Sequence, residues 1–228
     1  MKISAFLPCR AGSERVPHKN TRPFADIEGG LLGLKLKHLI ACEAIDSIVL
    51  STNDDEVIRI AKALSNDKIE IDRRPEHLAT SATSTDDLIR YVPEVIKDGA
   101  VLWTHVTSPF IDEELYRKAI NRYKEVLLQG EYDSLMSVMA LRTFIWNRKG
   151  AVNYDRDQEK WPRTQTIDPL FEVDSGIFLA DISIYKNRQD RIGQTPYLFE
   201  NNDIAAFDID WEEDFFIAEA IYKQLKNK

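Results

Sequence analysis

With 228 residues, 43% of them hydrophobic, the chain can bury one large α/β core and is too apolar to be globally disordered. A formal net charge of −8 at pH 7 excludes a dominant basic surface, and with it a nucleic-acid partner. No apolar run approaches the roughly 18 to 20 residues that span a bilayer, and Cys9 and Cys42 read as packed, reduced thiols, so a cytoplasmic protein without a membrane partner is expected.

Ile3 to Leu7 reads as a buried strand, and Ile48 to Thr52 as a second. Asp54 to Leu64 follows as a helix, with Val57, Ile60, Ala61 and Leu64 on one face behind an Asp54-Asp55 start. Ile69 to Ile71 is a weaker strand. A helix opens at Ser84-Thr85 with Leu88, Val92 and Val95 in a stripe. Val101 to Thr104 is the next strand, and a helix from Asp112 carries Leu115, Ala119 and Val126. This alternation predicts βαβ units: an α/β fold with a mainly parallel, Rossmann-like sheet flanked by helices. Ligands in such sheets bind beyond the carboxyl ends of the strands.

The second half changes character. Ser134 to Met139 and Phe144 to Asn147 read as two strands, followed by a polar, irregular stretch over residues 149 to 172. Gly176 to Ala180 and Ala206 to Asp210 read as further strands, and a terminal helix from Trp211 spaces Phe215, Ala218, Tyr222 and Leu225 along one face. Residues 1–228 are expected to form a single domain. Within it, residues 140 to 172 with Phe144, Trp146 and Trp161 form a small β-containing excursion, too apolar to lie free.

The loop after the first strand reads Pro8-Cys9-Arg10-Ala11-Gly12-Ser13-Glu14-Arg15-Val16-Pro17-His18-Lys19-Asn20. A glycine turn, two stiffening prolines and the cations Arg10, Arg15 and Lys19 suit a triphosphate, although composition alone equally allows a solvated basic turn. The loop is neither G-x-x-x-x-G-K-[ST] nor G-x-G-x-x-G, which disfavours a dinucleotide dehydrogenase. It resembles the R-x-G-S-K-R-x-P-x-K-N signature of the acylneuraminate cytidylyltransferases, the enzymes that make CMP-activated nonulosonic acids. The resemblance continues through Val49-Leu50-Ser51-Thr52-Asn53-Asp54, Arg74-Pro75-Glu76-His77-Leu78-Ala79, Thr107-Ser108-Pro109, Pro162-Arg163-Thr164-Gln165 and Asp208-Ile209-Asp210. Six short pieces in the family's order span almost the whole chain.

The resemblance implies transfer of CMP from CTP to an acidic sugar with release of pyrophosphate, dependent on Mg²⁺, in a homodimer built through the excursion. It places Arg10 and Lys19 on the triphosphate beside Gly12 and Ser13, Asn20 and Arg74 on the nucleotide, and Ser81 near the cytosine. On the acceptor side it places His105, Thr107, Ser108, Gln165 and Asp174. Asp208 and Asp210, two apart in an extended segment, share one face, and paired carboxylates suit Mg²⁺ bound to phosphate oxygens. Asp210 also reads as the cap of the terminal helix, supported by Glu213.

Three departures matter. Glu14 stands where lysine is usual. His105-Val106 and Phe110-Ile111 flank Thr107-Ser108-Pro109 where Gln-Pro and Leu-Arg are common, and Glu172-Val173-Asp174-Ser175-Gly176 replaces R-x-N-G. The losses cluster on the acceptor side, which predicts an unusual acceptor. The alternatives are a 3-deoxy-manno-octulosonate cytidylyltransferase, against which Lys19-Asn20 speaks, and a catalytically weakened nucleotide-binding homologue.

Overall fold

The computed structural model describes residues 1–12 and 15–226; Ser13 and Glu14 lie outside the described residues. The elements run β1 (Ile3–Pro8), α1 (Gly30–Ala41), β2 (Ser47–Thr52), α2 (Asp55–Ala63), β3 (Ile69–Arg73), α3 (Thr85–Val95), β4 (Ala100–Trp103), α4 (Glu113–Gln129) and β5 (Ser134–Leu141). They continue with β6 (Trp146–Asn147), β7 (Gly150–Ala151), β8 (Leu170–Asp181), α5 (Ile182–Arg188), β9 (Pro196–Asn201) and α6 (Glu212–Lys226). Seven strands form one sheet in the order β3-β2-β1-β4-β8-β5-β9, in which only β8 runs antiparallel to its neighbours.

β1, β2 and β4 are near-continuous apolar runs because helices cover both faces of the sheet. Ile3, Ala5 and Leu7 enter a core shared with α1, α2, α4 and α6. Phe6 points the other way, into a second core with α3 and α5. The Asp54, Ser84 and Asp112 side chains cap α2, α3 and α4 by accepting from the backbone N–H groups of Glu56, Asp87 and Leu115. At the start of α1, Gly30 has φ +60° and approaches the Arg22 carbonyl so closely that a Cβ would lie 2.1 Å from its oxygen. That approach lets Leu32 N–H donate to the Asn20 carbonyl at 2.8 Å, anchoring the end of the long β1–α1 loop on the helix. Among the described residues no helix is long and apolar enough to cross a membrane.

Several expectations need correction. Residues 206–210 are not a strand. Their one ladder-like bond is Ile209 N–H to the Thr107 carbonyl at 3.0 Å, and the sheet edge belongs instead to β9, whose mixed sequence shows no alternation. Phe144 lies outside β6, which keeps only Trp146–Asn147 paired with β7. β8 begins at Leu170, earlier than expected, because Leu170 to Val173 pair with Val138 to Leu141 of β5 across a register shift. Cys42 caps α1 and lies just beyond it. Trp211 precedes α6 and is exposed; within the helix Phe215 and Ala218 are buried while Leu225 is exposed, because the helix meets the core over part of its length only. Its start is held by the Asp214 carboxylate, which accepts from Asp210 N–H and Trp211 N–H, in place of Glu213.

Candidate active site

The β1–α1 loop and its neighbours enclose a cleft of about 430 Å³ lined by Arg10, Gly12, Lys19, Asn20, Asp54 and Glu56. A larger hollow of about 850 Å³, between α4, α6 and the turn at Asn202–Ala205, holds none of the predicted phosphate-binding residues. The loop is pinned from below: Ala11 N–H donates to the Asn53 Oδ1 at 3.0 Å, and Cys9 N–H to the Ser51 carbonyl at 2.9 Å. Gly12 turns the chain at φ +74°, and the Arg10 guanidinium folds over that turn to the Gly12 carbonyl at 2.9 Å. Asn20 lies against the buried Cys9 thiol, which burial pushes up to about 12.

The acidic segment meets this loop. Lys19 Nζ donates to the Ile209 carbonyl at 2.6 Å, in the field of the Asp208 and Asp210 carboxylates. Arg15 pairs with Asp210 at 3.2 Å, and Arg22 grips Glu212 through both carboxylate oxygens. Burial lowers the Lys19 pKa against the pull of Asp208 and then Asp210. Burial raises the Asp208 carboxyl above its usual range; the Thr107 hydroxyl opposes this, Asp210 adds to it and Lys19 opposes it. Ile209 is fully buried, while Asp208 and Asp210 on either side of it along the chain are partly exposed, with Asp208 Oδ1 itself buried.

The other predicted residues fall into distinct settings. Arg74 is only 2% exposed and donates to Ser51 Oγ at 3.0 Å and to the Ser51 carbonyl at 2.6 Å, bracing the end of β2 beneath the loop. Ser81 is exposed on the turn before α3. Trp103 Nε1 donates to His105 Nε2 at 2.9 Å, so in the neutral ring Nδ1 carries the proton, and His105 offers a donor where a general base would need a lone pair. Burial, with Arg191 next, pushes His105 down to about 3, which keeps it neutral.

Thr107 faces Asp208, but Ser108 is buried behind it. Gln165 is exposed on a short 3-10 turn of the excursion. Asp174 is buried with both oxygens engaged: Oδ1 accepts from Ser137 Oγ and from Gly176 N–H at 2.9 Å, and Oδ2 from Asn201 Nδ2 at 2.7 Å. It therefore organises the β5–β8 irregularity and is not presented to a substrate.

Sequence reasoning passed over Lys35. It is fully buried on α1 and donates to the Ser108 carbonyl at 2.7 Å, the Ile111 carbonyl at 3.0 Å and Tyr116 Oη at 2.8 Å, tying down the turn that carries Thr107. Its position between Leu34 and Leu36 in an otherwise apolar stretch was the available signal.

A family model described as cytidylyltransferase matches residues 5–226. The chain belongs to the cytidylyltransferase family. The N-acylneuraminate cytidylyltransferase of Escherichia coli is 24% identical over 234 residues, covering all of this chain and 53% of the relative, so the chain spans about half that protein's length. The pseudaminic acid cytidylyltransferase of Campylobacter jejuni is 22% identical over 98% of this chain and 97% of its own. Among solved structures, a CMP:2-keto-3-deoxy-manno-octonic acid synthetase complexed with CTP superposes with a TM-score of 0.68 over 99% of this chain and 100% of that one, at 13% identity. That likeness concerns the fold, and it agrees with the Rossmann-like sheet of a cytidylyltransferase.

Proposed function

We propose that the protein transfers CMP from CTP to an acidic sugar of the nonulosonic type, releasing pyrophosphate. The carrying observation is the Lys19–Ile209 bond: it joins the cationic loop to the segment carrying the carboxylate pair, which supports reading the two as halves of a metal–triphosphate site. The Escherichia coli and Campylobacter jejuni relatives, both named for cytidylyl transfer to nonulosonic acids, support the same chemistry.

The donor set fits Mg²⁺. Asp208 Oδ1 is buried without a hydrogen-bond partner among the described residues, beside a second carboxylate. Magnesium takes one or two carboxylates and fills its remaining positions with phosphate oxygens and water. Asp208 and Asp210 would hold the ion, which when bound would polarise the phosphoryl oxygens. Lys19 and Arg10 neutralise charge on the departing pyrophosphate, and His105 Nδ1–H orients the acceptor as a neutral donor. The acceptor's anomeric hydroxyl attacks the α-phosphorus, and catalysis rests on positioning and charge.

Ile111 is buried and Glu172 is exposed on β8, so neither replaces the arginine expected near an acid sugar. This favours an acid acceptor other than N-acetylneuraminate. Pyrophosphate release from CTP and Mg²⁺ with a panel of acid sugars tests this reading. Turnover with a modified nonulosonic acid, abolished by EDTA, is expected; N-acetylneuraminate as the best acceptor contradicts the unusual-acceptor part, and silence with every acid contradicts the whole.

The excursion is read as a dimer contact. Trp146, Trp161, Phe171 and Val173 are 50%, 63%, 39% and 43% exposed, and Phe144 packs edge-on against Trp161. Light scattering of the unaltered chain and of Trp161→Ser should show a dimer weakened by the substitution.

A further inference from the structure

We propose that Arg191 binds the carboxylate of the acceptor sugar, replacing from a different part of the chain the arginine missing at Ile111 and Glu172. This rests on the transferase reading above and names the group that selects its acceptor.

Trp103 on β4 lies opposite Phe178 on β8, at the cleft end of the sheet and two residues before His105. The Arg191 guanidinium stacks 3.7 Å from the Phe178 ring centre and 5.4 Å from that of Trp103. Trp103 in turn donates to His105. Stacking occupies the faces of the guanidinium and leaves its N–H edges free. Among the described residues its side chain makes no hydrogen bond and no ion pair within 4.0 Å.

The acids nearby form no ion pair with it among the described residues. The Asp190 carboxylate accepts from the backbone N–H groups of Arg191 and Ile192, and Asp86 is exposed in the first turn of α3. Burial lowers the Arg191 pKa, with Tyr185, Asp190 and Asp86 opposing the fall. A partly desolvated cation without an anion is costly unless a ligand supplies one. A planar fork held by aromatic rings is preorganised for bidentate carboxylate binding. Trp103 links it to His105, lying under the guanidinium on one side and donating to the imidazole on the other, so one acceptor spanning Trp103 meets both groups.

The test compares unaltered protein with Arg191→Met and Arg191→Lys, using the best acid acceptor and its carboxamide with CTP and Mg²⁺. Arg191→Met should raise the acceptor KM about 10- to 100-fold, the range expected for losing a charge-assisted pair. It should leave the CTP KM unchanged and collapse the preference for the acid over the amide. Arg191→Lys, which keeps charge and bulk but loses the fork, should restore part of that preference, and it carries the test if the methionine variant fails to fold. A packing role alone would lower stability or raise the acceptor and CTP KM values together without touching acid-over-amide selectivity. Unchanged acceptor KM and unchanged selectivity in an active variant overturn the Arg191 assignment alone. An unaltered protein silent with every acid overturns the transferase reading.

Discussion

Lys35→Met probes the buried support of the site. Lys35 sits in the core with three acceptors, and burial pushes its ammonium down to about 7, against the pull of Asp112 and Asp208. In the unfolded chain the same group titrates near about 10.4. Between pH 7 and 10.4 the unfolded state therefore binds more protons than the native state, and stability rises with pH. Below pH 7 both states are protonated and the full penalty of the buried charge is present.

Linkage over this window gives the unaltered protein a gain of about 2 kcal/mol between pH 7 and pH 9 that Lys35→Met lacks. Methionine also removes three hydrogen bonds, at about 1 kcal/mol each because the Tyr116 hydroxyl keeps its bond to Thr104, but this loss does not depend on pH. Cys9 works in the opposite direction: raised to about 12 in the fold, it lowers stability above its unfolded value. That contribution is common to both proteins and cancels in their difference. Urea unfolding followed by tryptophan fluorescence at pH 7, 8 and 9 measures the two curves. Parallel pH dependences would refute the reasoning, because they would mean Lys35 keeps an ordinary proton affinity in the core.

Asp208→Asn should cut pyrophosphate release at least ~100-fold, since metal-borne charge stabilisation is worth several kcal/mol. Its urea midpoint should hold or rise, because a buried carboxylate charge is removed; lost activity accompanied by unfolding contradicts the metal role. Asp174→Ala should destabilise by about 2–4 kcal/mol through three lost hydrogen bonds while leaving the acceptor KM of the folded fraction unchanged; a selective rise in acceptor KM would return Asp174 to the substrate. Cys9 and Cys42 are both buried, and Ellman's reagent should modify them at pH 8 only after denaturation. Rapid labelling of native Cys9 would show the loop above it open.

The cationic loop of the candidate site was readable from the chain because its parts are local. A turn with Gly12, the cations Arg10 and Lys19, and strand ends at Ser51-Thr52 carry their chemistry within short windows. The caps Asp54, Ser84 and Asp112 announce their helices in the same way. β9 was not readable, since an edge strand partnered on one side needs no strict alternation, and residues 206–210 imitated it with Phe207 and Ile209 alternating with Asp208 and Asp210.

What the sequence by itself determined was the alternation of strands and helices and the pairing of a cationic loop with an acidic segment, because apolar period and charge spacing are properties of neighbours along the chain. Which charges are buried, satisfied or left open was decided only by the tertiary structure. Lys35, Asp174 and Arg191 are all ordinary polar letters in the sequence. Packing drives the first two into closed hydrogen-bond networks and stacks the third on aromatic rings with its donors unspent, and desolvation is a property of the assembled core.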